Sequence, residues 1–200
     1  MPCFRDIFSN FVTAKLRSHT TQRTIRPQRE YVDTENLTAT SLAWDQLSGD
    51  AGVVALTDEY TAAMDLPLGI RYPWEASKSV YLLQGYHNLH CLRIIYRSLT
   101  EYHLRQPQRN SFEHILHCLD ELRQDVICHA DDTPRYASVS PSGTGIEQTR
   151  TCRDWDALTE WARTHTACFR HEDGVPDHMV NRFKHCPDGS QPWLEVPQNR

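Results

Sequence analysis

The chain has 200 residues, a formal net charge of −5 and a pI near 6.1. This balance excludes the strongly basic surface of a nucleic-acid-binding domain, so no nucleic-acid partner is predicted. Apolar residues make up 39% of the sequence, which excludes a disordered chain and suffices for one folded domain with tails. No stretch approaches the about 20 apolar residues of a membrane span, and the start lacks the apolar run of a signal peptide.

The N-terminal region predicts a short amphipathic helix followed by a polar arm. Apolar residues recur at helical spacing in the first 16 positions: Phe4, Ile7, Phe8, Phe11, Val12 and Leu16. Such a helix packs on the domain or makes a peripheral contact with a membrane or a partner protein. Residues from about 18 to 40 are polar, so positions 1–40 are interpreted as this helix and a linker arm.

The centre of the chain predicts two long helices. The first runs from about Ser77 to His103, and the second begins at Ser111, a good N-cap residue, and runs to about His129. Segment 105–110 contains a proline and breaks the helical pattern. Because so short a connection places consecutive helices side by side in opposite directions, we expect an antiparallel hairpin.

A third amphipathic helix follows near the C-terminal end. Trp155, Leu158 and Trp161 are spaced three residues apart and form one apolar face. Beyond it, residues 171–200 are interpreted as an irregular tail. The predicted fold is therefore mainly α, with a helical domain over residues 41–170 and long irregular termini.

Each of the two long helices contains the five-residue pattern His-x-x-His-Cys. Residues three and four apart share one face of a helix, so each motif predicts one cluster of side chains. If the helices pack through these faces, four imidazoles and two sulfurs converge inside the hairpin. The residues are His87, His90 and Cys91 in the first motif and His114, His117 and Cys118 in the second.

The doubled motif predicts a metal site at the four histidines. Imidazole suits copper, zinc, iron and nickel, whereas thiolate prefers Cu(I), zinc and iron. The absence of Glu-x-x-His argues against a ferritin-like di-iron site, and structural zinc sites are usually richer in cysteine with shorter spacings. A four-histidine site without a nearby general base is also a poor hydrolase, so the pattern favours copper and oxidation. Cys91 and Cys118 are metal ligands, a disulfide between the helices, or buried thiols, and the spacing leaves these three alternatives open.

Several stretches of the sequence resemble the fungal UstYa-like family of oxidative tailoring proteins. Two of them, HNLHCLRIIYRSL and HILHCLDELRQDVICHADDTP, surround the motifs, and a third, TCRDWDALTEWA, begins at Thr151. The upstream segment AWDQLSGDAGVVALTDEY is also similar to the family. The resemblance covers about residues 40–165, and the doubled His-x-x-His-Cys motif is its most specific part.

The resemblance implies a copper-dependent oxidase, oxygenase or halogenase of fungal secondary metabolism, including mycotoxin biosynthesis. The implied reaction is halogenation, hydroxylation or oxidative cyclisation at a C–H bond of a small-molecule or peptide natural product. One or two copper ions, O2 or peroxide as the oxidant and, for a halogenase, chloride are the implied cofactors. The implied copper ligands are His87, His90, His114 and His117.

The resemblance also brings in residues outside the motifs. Cys128 and Cys152 match further family cysteines, which implies a structural disulfide between them. Asp131 and Asp132 follow the second helix and either orient a metal ligand through a hydrogen bond or simply cap and solvate the loop.

The sequence departs from the family pattern in two places. Family members typically carry an N-terminal transmembrane helix and lie in the endomembrane system, and these 200 residues predict no such span. A histidine often precedes the cysteine of the C-terminal motif, but this chain has Thr151 there. Any role of that histidine is then either lost or supplied by another residue, such as His129 or His165.

Two other functions agree with the same residues. The domain could bind metal only structurally and act as a non-catalytic subunit in a homo- or hetero-oligomer with another family member. It could also be a zinc hydrolase, which would be active with zinc and without oxygen.

Overall fold

The computed structural model describes residue 16 and residues 19–67, 69–129, 146–171 and 179–195. These residues form two compact units whose segments alternate along the chain. The described residues within Met1–His19, Asp50–Leu83 and Arg153–Arg200 form unit 1, and those within Thr20–Gly49 and Gln84–Cys152 form unit 2. The predicted boundaries at residues 40 and 170 stay predictions. The predicted N-terminal amphipathic helix lies outside the described residues except for Leu16.

Unit 1 is built on a two-stranded antiparallel sheet. Strand β2 (Val53–Thr57) pairs with strand β3 (Lys78–Leu82), and Val53 lies opposite Leu82. The sequence of β2, VVALT, is apolar throughout, and its first four residues are buried. On the free edge of β2 the main chain pairs again, because Val54 forms a bridge with Thr166. Strand β2 is therefore central to the unit.

Two helices of unit 1 each begin at a polar side chain that caps the first turn. Helix α3 (Asp58–Ala63) starts where the Thr57 hydroxyl accepts a hydrogen bond from the Tyr60 amide. Helix α6 (Trp155–Thr164) starts at Asp154, whose carboxylate accepts hydrogen bonds from two main-chain amides at 3.0 Å. Both caps satisfy amides that a helix leaves unpaired.

The C-terminal segment belongs to the core of unit 1. Phe183 is 3% exposed and packs in a cluster with Val53, Ala55, Tyr72 and Ala167. A disulfide joins Cys168 to Cys186, and the Trp74 indole donates a hydrogen bond to the Phe183 carbonyl at 2.6 Å. Part of the predicted irregular tail is thus fixed by packing and by a covalent bond.

Burial of Tyr72 makes the stability of unit 1 sensitive to alkaline pH. Burial, assisted by the nearby Glu75 carboxylate, raises the pKa of Tyr72 to about 12 from 10. An acid with a raised folded-state pKa ionises first in the unfolded chain, so stability falls as pH rises from about 10 to 12. We expect this loss to be of order 2 kcal/mol and smaller in Tyr72→Phe, measured by urea unfolding at several pH values. Tyr102→Phe, an 81% exposed site, should leave the pH dependence unchanged, and an unaltered alkaline loss in Tyr72→Phe would contradict the assignment.

Unit 2 is dominated by two long helices, α4 (Gln84–His103) and α5 (Phe112–His129). The shorter helices α1 (Arg29–Val32) and α2 (Leu37–Asp45) precede them, and strand β1 (Thr20–Thr24) pairs with strand β4 (Thr149–Arg153). Helix α2 packs on α4, where the Trp44 and Tyr96 rings stack at 4.8 Å. An ion pair of 3.2 Å between Asp45 and Arg97 reinforces this contact.

The fold is mainly helical, as predicted, with two local differences. The first long helix begins at Gln84 and not at Ser77, because residues 78–82 pair with β2 and form a strand. The predicted arm, residues 18–40, contains β1, α1 and the start of α2. Within the described ranges, no helix combines the length and the apolar character required to span a bilayer.

Candidate metal centre

Helices α4 and α5 place both His-x-x-His-Cys motifs at their mutual contact. Helix α5 begins after Ser111, whose hydroxyl accepts a hydrogen bond from the His114 amide at 3.2 Å. A small apolar core lies between the helices. Both motif cysteines belong to this core and are 0% exposed. The core residues are Cys91, Ile94, Ile95, Ile115, Cys118 and Leu122.

The four motif histidines form a quartet of neighbouring rings on one side of this core. Along each helix, the centroids are 6.3 Å apart for His87 and His90 and 6.5 Å apart for His114 and His117. Between the helices, His87 lies 6.0 Å from His117, and His90 lies 6.0 Å from His114. Because the higher-numbered residue of one helix meets the lower-numbered residue of the other, the two helices are antiparallel at the quartet.

The histidine rings are accessible to a ligand or an ion. His87, His90 and His114 are half-buried, and His117 is exposed. None of the four residues is buried, in contrast to the motif cysteines. The quartet is therefore an open site, whereas the cysteines beneath it are enclosed.

Four imidazoles are chemically suitable ligands for copper. Their ring centroids, however, lie slightly farther apart than those of imidazoles bound to one ion. Neutral imidazole is a good ligand for copper, and metal–nitrogen bonds of about 2.0 Å place two ring centroids about 5 Å apart at a tetrahedral ion. The quartet has edges of 6.0–6.5 Å. Among the described residues, no group of three or more histidine, cysteine, aspartate or glutamate side chains is arranged so that it could hold a metal ion.

Cys91 and Cys118 are free thiols in this structure and touch each other in the hairpin core. Burial, followed by the neighbouring Cys118 sulfur, raises the pKa of Cys91 to about 12. Burial also raises the pKa of Cys118. Both side chains are thus neutral thiols at physiological pH when no metal is bound. Their predicted roles as ligands or as a disulfide stay predictions.

A carboxylate that the sequence analysis missed lies beside the quartet. Glu121 Oε2 is 3.7 Å from Nδ1 of His87, and both side chains are largely shielded from solvent, at 30% and 23% exposure. The signal in the sequence is the spacing, because Glu121 lies four residues after His117 and so shares its face of α5. The separation is slightly longer than a hydrogen bond, so it is the attraction of the carboxylate for a ring N–H that can orient the imidazole.

A glycine on the other side of the quartet was also not predicted. The loop after α2 approaches α4 closely at Gly49, where a Cβ atom would lie 3.1 Å from Cβ of His90 and 3.4 Å from the Tyr86 carbonyl. Because Gly49 has no side chain, the loop can pack directly against the Cβ atom of His90. No periodic pattern in the sequence indicates this contact.

The sequence model of one known family matches residues 7–165 and therefore most of the chain. It describes the mycotoxin biosynthesis protein UstYa. This chain belongs to the UstYa family.

Individual relatives agree with this membership. The chain is 33% identical over 187 residues to chlorinase cctP2 of Talaromyces islandicus, which covers 88% of this chain and 60% of the relative. It is 34% identical over 135 residues to hydroxylase cctR of the same organism, covering 66% of this chain and 51% of that protein. It is 35% identical over 89 residues to oxidase ustYa of Aspergillus flavus, covering 40% and 39%. The chain thus spans about half to three fifths of the two Talaromyces relatives, and no solved structure is significantly similar to it.

The disulfide of this UstYa-family protein is not the one that the family resemblance implied. Cys128 on α5 and Cys152 on β4 are both free, Cys128 exposed and Cys152 half-buried. The structure instead joins Cys168 to Cys186. Asp131 and Asp132, the predicted orienting carboxylates, lie outside the described residues, and Glu121 is the carboxylate that the structure places at the quartet.

Neither histidine proposed to replace the one missing at Thr151 is placed in the quartet. His129 is the last residue of α5, 12 positions after His117 and so roughly 18 Å further along the helix. There its Nδ1 contacts the Asp125 carboxylate at 3.3 Å. His165 belongs to unit 1, where it stacks on Trp161 at 4.2 Å and lines a cavity of about 350 Å³.

Proposed function

We propose that this UstYa-family protein is a copper-dependent enzyme that oxidises a C–H bond of a fungal natural-product intermediate. The observation that carries the proposal is the quartet of His87, His90, His114 and His117, whose rings meet across two antiparallel helices at 6.0–6.5 Å. Imidazoles without a negatively charged ligand leave a bound copper ion cationic and able to change oxidation state.

The quartet would hold one or two copper ions, which supply one-electron and oxygen chemistry when bound. The packed core of Cys91, Ile94 and Cys118 keeps the two helix backbones fixed, so the histidines approach from a rigid base. Glu121 would hold the His87 ring in the orientation that presents its other nitrogen to the ion. The exposed side of the quartet leaves room for a substrate.

The relatives support an oxidative reaction and differ in its outcome. Their names include a chlorinase, a hydroxylase and several oxidases. We infer that the chain performs halogenation, hydroxylation or oxidative cyclisation, with O2 or peroxide as the oxidant and chloride for a halogenation. The substrate class is a small-molecule or peptide intermediate of secondary metabolism, as for an enzyme of mycotoxin biosynthesis.

Metal content and oxygen dependence test this proposal together. We expect the purified chain to take up one or two equivalents of copper, measured by elemental analysis and electron paramagnetic resonance, and to turn over only with O2 or peroxide. Uptake of zinc alone, with activity in the absence of oxygen, would favour the zinc hydrolase. Copper uptake without turnover on any candidate intermediate would favour the non-catalytic subunit.

Replacement of Glu121 should weaken copper binding without unfolding the hairpin. We expect Glu121→Ala to raise the copper Kd about 10-fold, because the His87 ring loses the carboxylate that orients it. Glu121→Gln keeps an oxygen acceptor and should show a smaller effect. The measurement is competition against a copper chelator of known affinity.

Glu59→Ala provides the control, since Glu59 is an exposed carboxylate of α3 and belongs to neither helix of the quartet. Equal copper affinities of Glu121→Ala and Glu59→Ala would show that Glu121 has no role at the quartet.

A further inference from the structure

The face of the α4–α5 hairpin opposite the histidines is apolar. On α5 the histidines lie on one side of the core between the two helices. A second set of residues, spaced three, four or seven positions apart, lies on the opposite side of that core. These residues are largely exposed: Phe112 68%, Leu116 47%, Leu119 48%, Val126 71% and Ile127 63%. In a helix that needed only one buried face, such positions would be polar.

Helix α4 extends the same apolar surface. Ile95 packs in the core between the helices, and Leu92 and Leu99, three residues before and four residues after it on the side away from His90, are also apolar. Leu92, Leu99 and Tyr102 lie there with exposures of 40%, 64% and 81%. Both helices of the hairpin therefore contribute to one continuous surface, which we call the apolar hairpin face.

The area of the apolar hairpin face is that of a protein interface. Large side chains offer roughly 200 Å² each, so the exposed fractions of the eight residues amount to on the order of 1,000 Å². The largest apolar patch of a typical monomer is about 300–600 Å². A stable protein–protein interface buries about 800 Å² on each partner.

The charge on this face suits self-association. Arg123 is the one charged residue within the α5 stripe, a helix described over its whole length, and its guanidinium lies 2.6 Å from the Asp120 carboxylate of the same helix. The stripe therefore has little net charge, and an identical copy would not meet like-charge repulsion.

We propose that a second copy of this chain packs on the apolar hairpin face and forms a two-fold symmetric dimer. A two-fold axis brings the same patch of each copy together, and such dimers are the commonest oligomers of soluble proteins. Four helices, two from each copy, then surround a shared apolar layer, as in a helix bundle. The two histidine quartets lie on the far sides of their hairpins and stay clear of the interface.

Sedimentation equilibrium of the full chain tests the dimer. We expect a dimer at micromolar concentration in the wild type and a monomer in Leu119→Glu, because a carboxylate at the centre of the face would be buried without a partner. Val126→Glu is a second variant at an even more exposed site and should also be monomeric. Leu42→Glu is the matched control, since Leu42 is 61% exposed on α2, and should stay dimeric.

The test separates this proposal from other occupants of the face and from the copper proposal. Circular dichroism and copper content should be the same in all four proteins, so the dimer can fail while the metal centre stands. A monomeric wild type up to about 100 μM overturns the dimer. Flotation of that monomer with phosphatidylcholine–phosphatidylserine vesicles, lost in Leu119→Glu, would then assign the face to a membrane.

Discussion

Replacement of any one histidine of the quartet is expected to lower copper affinity and turnover by at least about 100-fold. His90→Ala and His114→Ala test one of the two ring pairs that meet across the helices, with centroids 6.0 Å apart. Loss of one donor leaves a site with too few nitrogens to compete for the ion. Even residues that only orient a metal ligand contribute 10- to 100-fold, so a direct ligand should contribute more. The measurements are copper competition titration and oxygen consumption with substrate.

His129→Ala is the control for the histidine variants. His129 belongs to the same helix as His114 but lies at its exposed C-terminal end. We expect wild-type copper affinity and turnover from it. The helical content of all variants should be unchanged, because the core between the helices consists of other side chains. If His90→Ala binds copper as well as His129→Ala does, the quartet is not the copper site.

The double replacement Cys168→Ser and Cys186→Ser should lower the free energy of unfolding of unit 1 by about 3 kcal/mol. The two cysteines are 18 positions apart, and a cross-link over a loop of that length restricts the unfolded chain by about this amount. The loop also contains Phe183, which is 3% exposed in the core of the unit, so its closure holds a core residue in place. Urea unfolding followed by tryptophan fluorescence measures the effect.

Fluorescence is a suitable probe because four of the five tryptophans belong to unit 1: Trp74, Trp155, Trp161 and Trp193. Cys128→Ser controls for the loss of a thiol, since Cys128 is free and exposed on α5. We expect its unfolding curve to match that of the wild type. Wild-type stability of the double variant under non-reducing conditions would contradict a contribution from the disulfide.

The sequence predicted the quartet because helical periodicity is a local property. A spacing of three and four residues fixes which side chains share a face once the segment is helical. His87 with His90, and His114 with His117, therefore follow from two short segments. The short connection between the helices predicted that they run antiparallel, and this arrangement brings the two histidine pairs together.

The sequence did not predict the strand at residues 78–82. Val80 fits a helical pattern as well as a strand pattern, and its partner in β2, Ala55, lies more than 20 positions earlier in the chain. Short apolar segments are ambiguous until a partner strand decides between the alternatives. For this reason the helix begins at Gln84 and not at the predicted Ser77.

What the sequence by itself determined is the family, the mainly helical class and the four candidate ligands, since each depends on motifs or on spacing within one helix. Only the tertiary structure decided that Glu121 and Gly49 support the quartet, that Cys168 bonds to Cys186 and that α4 and α5 share an apolar face. These features join segments distant in the chain, or depend on which sides of two packed helices remain uncovered. Local patterns carry no information on such contacts, because packing between elements sets them.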